Sequence, residues 1–531
     1  LWHNPGFEVE GLPLRRVGIF GWGLVAPRSP NIDVFAENLG SSESWLGPFN
    51  GFGPDNFLVG VPEFSFADYR GWIAERFPPA RFHQIEEKMD LPVLYAIGSF
   101  IQALGQNPGL EAELRSLGTQ AHVYMGTGIG CVQPLAQNTR ALDRAQRRWD
   151  RFWAERNPAF QEHLAGRGEV PEGLPPAPET VEDPEDRYDA ESAWWHYWAS
   201  NSPDLHAYLA ELAEIEGMNV QGDIDKGKVS VMKEKQRRLR HLHEKWSEPT
   251  PPWSSVSANV VWNIWNTPAA QISMLGHITG LAFAPVAACS TFGVCLKLGI
   301  DAIRRGEAKA VVVGATDPPP MPISVGAFYA ARVISADAAV SKPLTGLRGT
   351  HVAGGAVIWI LGDYEYMTAK GFRPLGMEPV AVGVSSDADH IITPSTHGPT
   401  AAIHQAFADS GIRPEEIGTW DLHATATPGD YREVETMRGI LSDSVLVTAR
   451  KGTFGHGMSA GGGWELTAQY LGAEQGRLYP TALHRGELNR QIADLHGAYV
   501  FDESCAAAKA PAGKLSMGIG GINACVISRP W

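Results

Sequence analysis

One cysteine and two histidines carry the signs of chemistry in this chain. Cys289 follows the apolar run Ile278 to Ala288 and precedes a segment, Gly293 to Arg305, with apolar residues at Val294, Cys295, Leu298, Ala302 and Ile303. That spacing predicts a helix with one buried face. Cys289 then sits on a strand-to-helix turn at the positive end of a helix, where a thiolate is favoured over a thiol. The competing reading is a small buried hydrophobe. His423 lies in Asp421-Leu422-His423-Ala424-Thr425-Ala426-Thr427-Pro428-Gly429-Asp430, with Glu433 three residues on. His456 lies in Lys451-Gly452-Thr453-Phe454-Gly455-His456-Gly457, and a third loop runs Ser516-Met517-Gly518-Ile519-Gly520-Gly521-Ile522-Asn523. A lone histidine is more often a satisfied core residue than a catalyst. Two of them in strand-end loops, beside a strand-end cysteine, point to a site, because active sites of open α/β sheets gather at such ends.

The elements that must position these residues alternate. Strand-like runs occur at Arg15 to Phe20, His122 to Met125, Lys309 to Ala315, Gly355 to Leu361, Val380 to Ser385, Gly418 to Leu422, Ser444 to Thr448 and Leu515 to Gly518, with helical patterning between many of them. Such alternation predicts a layered α/β fold. The glycine loop Gly126-Thr127-Gly128-Ile129-Gly130 lacks the full dinucleotide spacing and a P-loop lysine, so a tight packed turn is the better reading. From Cys131 to Trp253 the character changes to charged and tryptophan-rich, with an acidic stretch from Glu179 to Glu191 and a basic one from Lys226 to Lys245. Helices are expected there, with the tryptophans as packing anchors.

With 531 residues there is room for about three domains at ~150 residues each. A formal charge of −15 argues against non-specific binding to nucleic acid or to an anionic membrane. Five cysteines without metal-ligand spacing fit a reducing compartment, with no disulfide framework and no metal. The chain begins at Leu1 without a basic-then-apolar leader pattern, and no 18-residue apolar run occurs. A soluble, cytoplasmic protein without membrane insertion is expected.

On these motifs the sequence resembles the β-ketoacyl-acyl carrier protein synthases, the condensing enzymes of fatty acid and polyketide synthesis. The cysteine turn matches the family's Ala-Cys-Ser/Thr element. His423 matches the first histidine of His-Gly-Thr-x-Thr-x-x-Gly-Asp, with Ala424 for glycine and one residue fewer. Lys451 and His456 match Lys-Ser-x-x-Gly-His, and the third loop matches Gly-Phe-Gly-Gly-x-Asn. The resemblance implies the α/β thiolase fold, two similar halves in a five-layered α-β-α-β-α sandwich, usually a homodimer. The N-terminal half would comprise 1–130 and 254–362, the C-terminal half 363–531, and 131–253 would be a helical insertion. No internal repeat is visible in the sequence.

The same resemblance implies a set of roles. Cys289 carries the acyl group as a thioester, and the backbone N–H groups of Cys289 and Ile519 form the oxyanion hole. His423 and His456 stabilise the enolate left when a malonyl thioester loses its carboxylate. Lys451 orients His423 and, with Glu433, holds a buried network; Asp430 closes the loop; Thr425 and Thr427 hydrogen-bond the phosphopantetheine arm. No cofactor is implied, since phosphopantetheine arrives on an acyl carrier protein or coenzyme A. Partners would be acyl carrier protein with its malonyl and acyl thioesters. Phe292, three residues after Cys289, is expected to project on the thiolate's helix face and narrow the acyl channel. Met517 and Ile519, replacing phenylalanines, would open its gate. The block should outweigh the gate and favour short, initiating primers. Gly354 stands where the family has a glutamate. The alternatives are a related acyltransferase or malonyl decarboxylase, and a non-catalytic partner subunit of the chain-length-factor kind.

Overall fold

The computed structural model describes residues 15–54, 56–167, 170–220, 224–346, 348–391 and 395–531. The opening residues, read above for a leader pattern, and the Lys226 side chain lie outside the described residues. The chain divides into two compact units, Leu1–Val132 with Val261–Trp531, and Gln133–Val260. Among the described residues no helix is long and apolar enough to cross a membrane, and no group of three or more metal-ligating side chains could hold an ion.

The first unit is built on two five-stranded sheets. One contains β1 (Val17–Val25), β2 (Ala121–Gly126), β3 (Ala282–Phe283), β4 (Ala310–Asp317) and β5 (Gly355–Asp363), in spatial order β1-β5-β4-β2-β3. The other contains β6 (Met377–Ser386), β7 (Thr419–Asp421), β8 (Leu446–Thr448), β9 (Ala512–Gly518) and β10 (Ile522–Pro530), in order β8-β7-β9-β10-β6. Numbered within its own half and read from the first strand, each sheet runs 1-5-4-2-3. Strand directions match as well. The first strand pairs antiparallel with the fifth, and the fifth with the fourth. The second runs parallel to the fourth and to the third. The duplication invisible in the sequence is therefore plain in the topology.

The flanking helices are α1 (Leu91–Gly105), α2 (Thr267–Leu275), α3 (Thr291–Arg304), α4 (His397–Ser410), α5 (Gly429–Arg438) and α6 (Met458–Glu474). Three apolar cores define the layers. Ile97, Phe100 and Ile272 of α1 and α2 pack with Val123, Ile358 and Ile360 on the outer face of the first sheet. Leu296 and Ile300 of α3 and Trp464 of α6 join Val313, Trp359 and Val526 between the sheets. Ile403, Phe407 and Val434 of α4 and α5 cover Trp420, Leu515 and Ile527 on the far face of the second sheet. Alternate residues of β5 thus enter different cores, and a strand buried on both faces reads as one continuous apolar run. The middle layer is tight. A Cβ at Gly463 of α6 would lie 2.4 Å from Val357 Cγ1 and 2.9 Å from the Phe292 ring.

The unit Gln133–Val260, somewhat later in the chain than the 131–253 read from composition, is helical. Its core gathers Trp149, Trp153, Trp194, Trp198, Phe160, Tyr208 and Leu242, so the tryptophans are packing anchors. Its basic helix, Ile224–Trp246, is partly neutralised within the unit. Arg237 and Arg238 both bond Glu234, Lys235 pairs with Glu216 and Lys245 with Glu211.

Candidate active site

Cys289 occupies the 3-10 turn Ala288–Ser290 that leads into α3. Ala288 has φ 47°, a left-handed conformation that an alanine adopts only when its surroundings impose it. The two polar residues after the cysteine supply that constraint. The Ser290 hydroxyl donates to the carbonyls of Ile522 (2.7 Å) and Ser516 (3.1 Å), and the Thr291 hydroxyl donates to Ala288 O and accepts from Ala287 N. Cys289 lines a cavity of about 440 Å³ together with His423, His456, Thr425, Thr427, Met517 and Ile519.

The expectation of a thiolate does not hold for the resting site. Burial pushes the Cys289 thiol up to about 11, against the pull of the Lys451 charge and of the backbone N–H groups of Ile519 and Cys289. Desolvation of a fully enclosed sulfur outweighs the helix end. The two N–H groups aimed at the sulfur are nonetheless the pair named for the oxyanion hole.

His423 follows β7 in a loop held by two carboxylates from α5. Glu433 accepts the N–H groups of His423 (2.6 Å) and Ala424 (2.8 Å). Asp430 accepts those of Thr425, Ala426 and Thr427, and that of Leu344. Asp430 therefore closes the loop. Burial raises Glu433 to about 7 and Asp430 to about 6. The Thr425 and Thr427 hydroxyls lie 3.0 Å apart on the cavity wall.

His456 sits between the short helix Lys451–Phe454 and α6. Its N–H donates to His351 O (2.6 Å) and its carbonyl accepts from Ala353 N (2.9 Å). Its Nδ1 accepts the Met458 N–H at 3.2 Å, which leaves the ring proton on Nε2. The His423 and His456 rings are 5.3 Å apart and nearly perpendicular. Burial, reinforced by the Lys451 charge, holds both well below the usual histidine range. Both are neutral imidazoles at pH 7.

Lys451 donates to the His423 carbonyl and to Glu465 Oε1 (2.7 Å). Its carboxylate partner is thus Glu465 of α6 and not Glu433, whose oxygens are taken by backbone N–H groups. The sequence reading missed Glu465 and three further charged members of this buried network. Lys514 of β9 lies 2.7 Å from Glu465 and 3.1 Å from Asp421. Asp421 also accepts the Thr448 hydroxyl and lies 3.7 Å from Arg450. A signal was available: Lys514 and Asp421 are charged residues in strands otherwise buried, where only a paired charge survives.

Two expectations are corrected. Phe292 does not line the cavity. It is 1% exposed in the core between the sheets, edge-on to Trp359 at 5.0 Å. Cys289 lies in a 3-10 turn and Phe292 in the α-helix that follows, so the face of a single continuous α-helix does not carry over from the cysteine to Phe292. The steric case for short primers falls with it, whereas Met517 and Ile519 do face the cavity. Gly354 leaves no room for the family's glutamate, since a Cβ there would lie 2.2 Å from Pro318 O and 2.6 Å from Pro319 Cα. The glycine loop is a packed turn. The buried carboxylate of Asp317 accepts from Gly128 N (3.0 Å), Ile129 N (2.7 Å) and the Thr127 hydroxyl (3.2 Å), and from Ser459 of α6.

Residues 229–365 match the family described as "Beta-ketoacyl synthase, N-terminal domain", and residues 378–484 its C-terminal domain. Similar curated proteins include nodulation protein E of Rhizobium meliloti, 31% identical over 222 residues, which are 41% of this chain and 55% of that protein. Another is the chloroplastic 3-oxoacyl-[acyl-carrier-protein] synthase I of Arabidopsis thaliana, 28% identical over 232 residues, 42% of this chain and 49% of that one. The chain spans about half the length of the curated relatives it matches. Among solved structures, a β-ketoacyl synthase from Burkholderia phymatum STM815 superposes with a TM-score of 0.67 at 17% identity, covering 98% of this chain and 100% of that one. The ishigamide ketosynthase/chain length factor gives 0.66 at 18% identity with the same coverage. At these identities the likeness is one of fold.

Proposed function

We propose, for a chain that carries both the N- and the C-terminal domain of the β-ketoacyl synthase family, a decarboxylative condensing enzyme. The carrying observation is a cysteine and two neutral histidines lining one cavity, with a buried lysine bonded to the His423 carbonyl. In the first step Cys289 sulfur attacks an acyl thioester, its proton leaves with the departing pantetheine thiol, and the acyl group is held as a thioester. The N–H groups of Cys289 and Ile519 receive the oxyanion.

A malonyl thioester then enters along Thr425 and Thr427 and loses CO2. The bonding pair flows into an enolate whose thioester oxygen is met by Nε2–H of His456 and by His423. A neutral imidazole donates a hydrogen bond without taking the charge as a proton, so the carbanion stays nucleophilic. It attacks the acyl carbonyl, Cys289 sulfur leaves as a thiolate that takes a proton from solvent to restore the thiol, and a β-ketoacyl thioester is released. The scheme needs no cofactor beyond the pantetheine that the substrates carry. The donor we infer is acyl carrier protein. The five free cysteines suit a reducing compartment such as the cytoplasm.

Incubation with acyl- and malonyl-loaded carrier proteins, followed by intact-mass analysis, tests this. A β-ketoacyl carrier product is expected. Conversion of malonyl to acetyl carrier without condensation would replace the proposal by the decarboxylase reading. No acyl transfer and no CO2 would replace it by the non-catalytic partner.

A further inference from the structure

Lys514 is fully buried in the middle of β9. Taking an ammonium out of water is costly and is offset only by close partners. Its partners are placed around one short stretch of backbone. Nζ donates to the carbonyl of Leu422 (3.2 Å) and to that of Leu515 (2.7 Å). It also faces Glu465 Oε2 at 2.7 Å and Asp421 Oδ1 at 3.1 Å. Lys451 takes the next carbonyl, that of His423, and the other oxygen of Glu465. One carboxylate therefore bridges two ammonium groups that grip the successive carbonyls of Leu422 and His423. On the opposite edge Glu433 holds the N–H groups of His423 and Ala424.

We propose that Lys514 is a second positioning lysine, which locks the His423 loop to the strand whose end carries the Ile519 N–H. The inference rests on the condensing reading for its chemical meaning. Four residues beyond Lys514, β9 ends at Gly518, and the next residue is Ile519. The strand that sets one donor set is thus tied by its own side chain to the loop that sets the other. Displacement of a catalytic group by about 1 Å can cost ~100-fold in rate. A purely structural ion pair would affect both half-reactions alike; a positioning residue for His423 affects decarboxylation and spares acylation of Cys289.

The test compares wild type with Lys514→Met/Asp421→Asn, a double change that keeps the buried charge balanced so that the fold survives. Acyl-enzyme burst amplitude on Cys289 should match wild type, whereas malonyl decarboxylation should fall ~10- to 100-fold. The 13Cε1 signal of His423, in histidine-labelled protein and assigned with His423→Gln, should shift in the double variant. An unchanged ratio of decarboxylation to acylation with an unmoved His423 signal would overturn the proposal. If wild type itself neither acylates nor decarboxylates, the condensing reading fails. The His423 signal then decides the positioning role alone: a shift sustains it, and none overturns it.

Discussion

In the proposed mechanism Cys289 reacts from a setting that favours its thiol. With the thiol raised to about 11, the thiolate fraction grows about tenfold per pH unit across the neutral and alkaline range. Iodoacetamide labelling of the Cys289 peptide should therefore climb steadily from pH 7 to 10. A plateau at pH 7 would contradict the burial argument. Cys289→Ala should abolish acyl-enzyme while sparing malonyl decarboxylation, because the histidine pair does not need the sulfur. Intact-mass labelling and CO2 release separate the two. The histidines carry the opposite sign. Their protonation is pushed well below the ordinary range, so they stay neutral as pH falls through 6.5. The 13Cε1 signals of both histidines should show no imidazolium transition near 6.5, whereas any limb of decarboxylation between pH 6 and 7 belongs to Glu433 and Asp430, which hold the His423 loop. His423→Ala and His456→Ala should each lower decarboxylation ~100- to 1,000-fold and retain burst labelling of Cys289. Loss of labelling in both would assign the histidines to the thiol instead.

Among the elements, α3 and α6 meet between two sheets, and small residues there are dictated by contact. Phe292→Ala should cost ~3–5 kcal/mol by emptying the space against Trp359 and Gly463. It should leave the preference among two-, eight- and fourteen-carbon primers unchanged. Denaturant unfolding and acylation rates check the two halves of this statement, and a lengthened preference would return Phe292 to the channel. The strand-end motifs were legible because each loop is a contiguous stretch whose own N–H groups and nearby carboxylates define it. Asp430 illustrates this, closing a loop four residues long just behind it. The partner of Lys451 was not legible in the same way. Glu433 and Glu465 are both carboxylates near a motif, and only the directions of α5 and α6 decide which one reaches the ammonium.

For the whole molecule, the shared 1-5-4-2-3 order leaves β1 and β3 as the edges of the first sheet, of which β1 is buried along its whole length. Leu281 beside β3 and Val286 just beyond are 56% and 47% exposed. Edge strands with exposed apolar residues are templates for pairing, and self-association of two copies through this edge is the prediction. Leu281→Lys/Val286→Lys should shift sedimentation from dimer to monomer, and a wild type that sediments as a monomer would remove this interface.

What the sequence by itself determined is the layered class and the candidate set that the fold brings together around one cavity. Cys289, His423, Lys451 and His456 are identified by residue type and by neighbours a few positions away, and buried strands show as apolar runs. The tertiary structure decided the rest. The duplicated topology is carried by backbone pairing, which tolerates complete divergence of side chains. The neutrality of the histidines arises from burial and from Lys451, and the resting thiol from burial against the pull of Lys451, none of which any single segment contains. The burial of Phe292 is set by its packing against Trp359 and Gly463 between the sheets, and the Lys451–Glu465–Lys514 bridge by three elements brought together only when both sheets close on the middle helices. Short-range patterns are written along the chain, whereas electric fields and enclosed volumes exist only between parts of it.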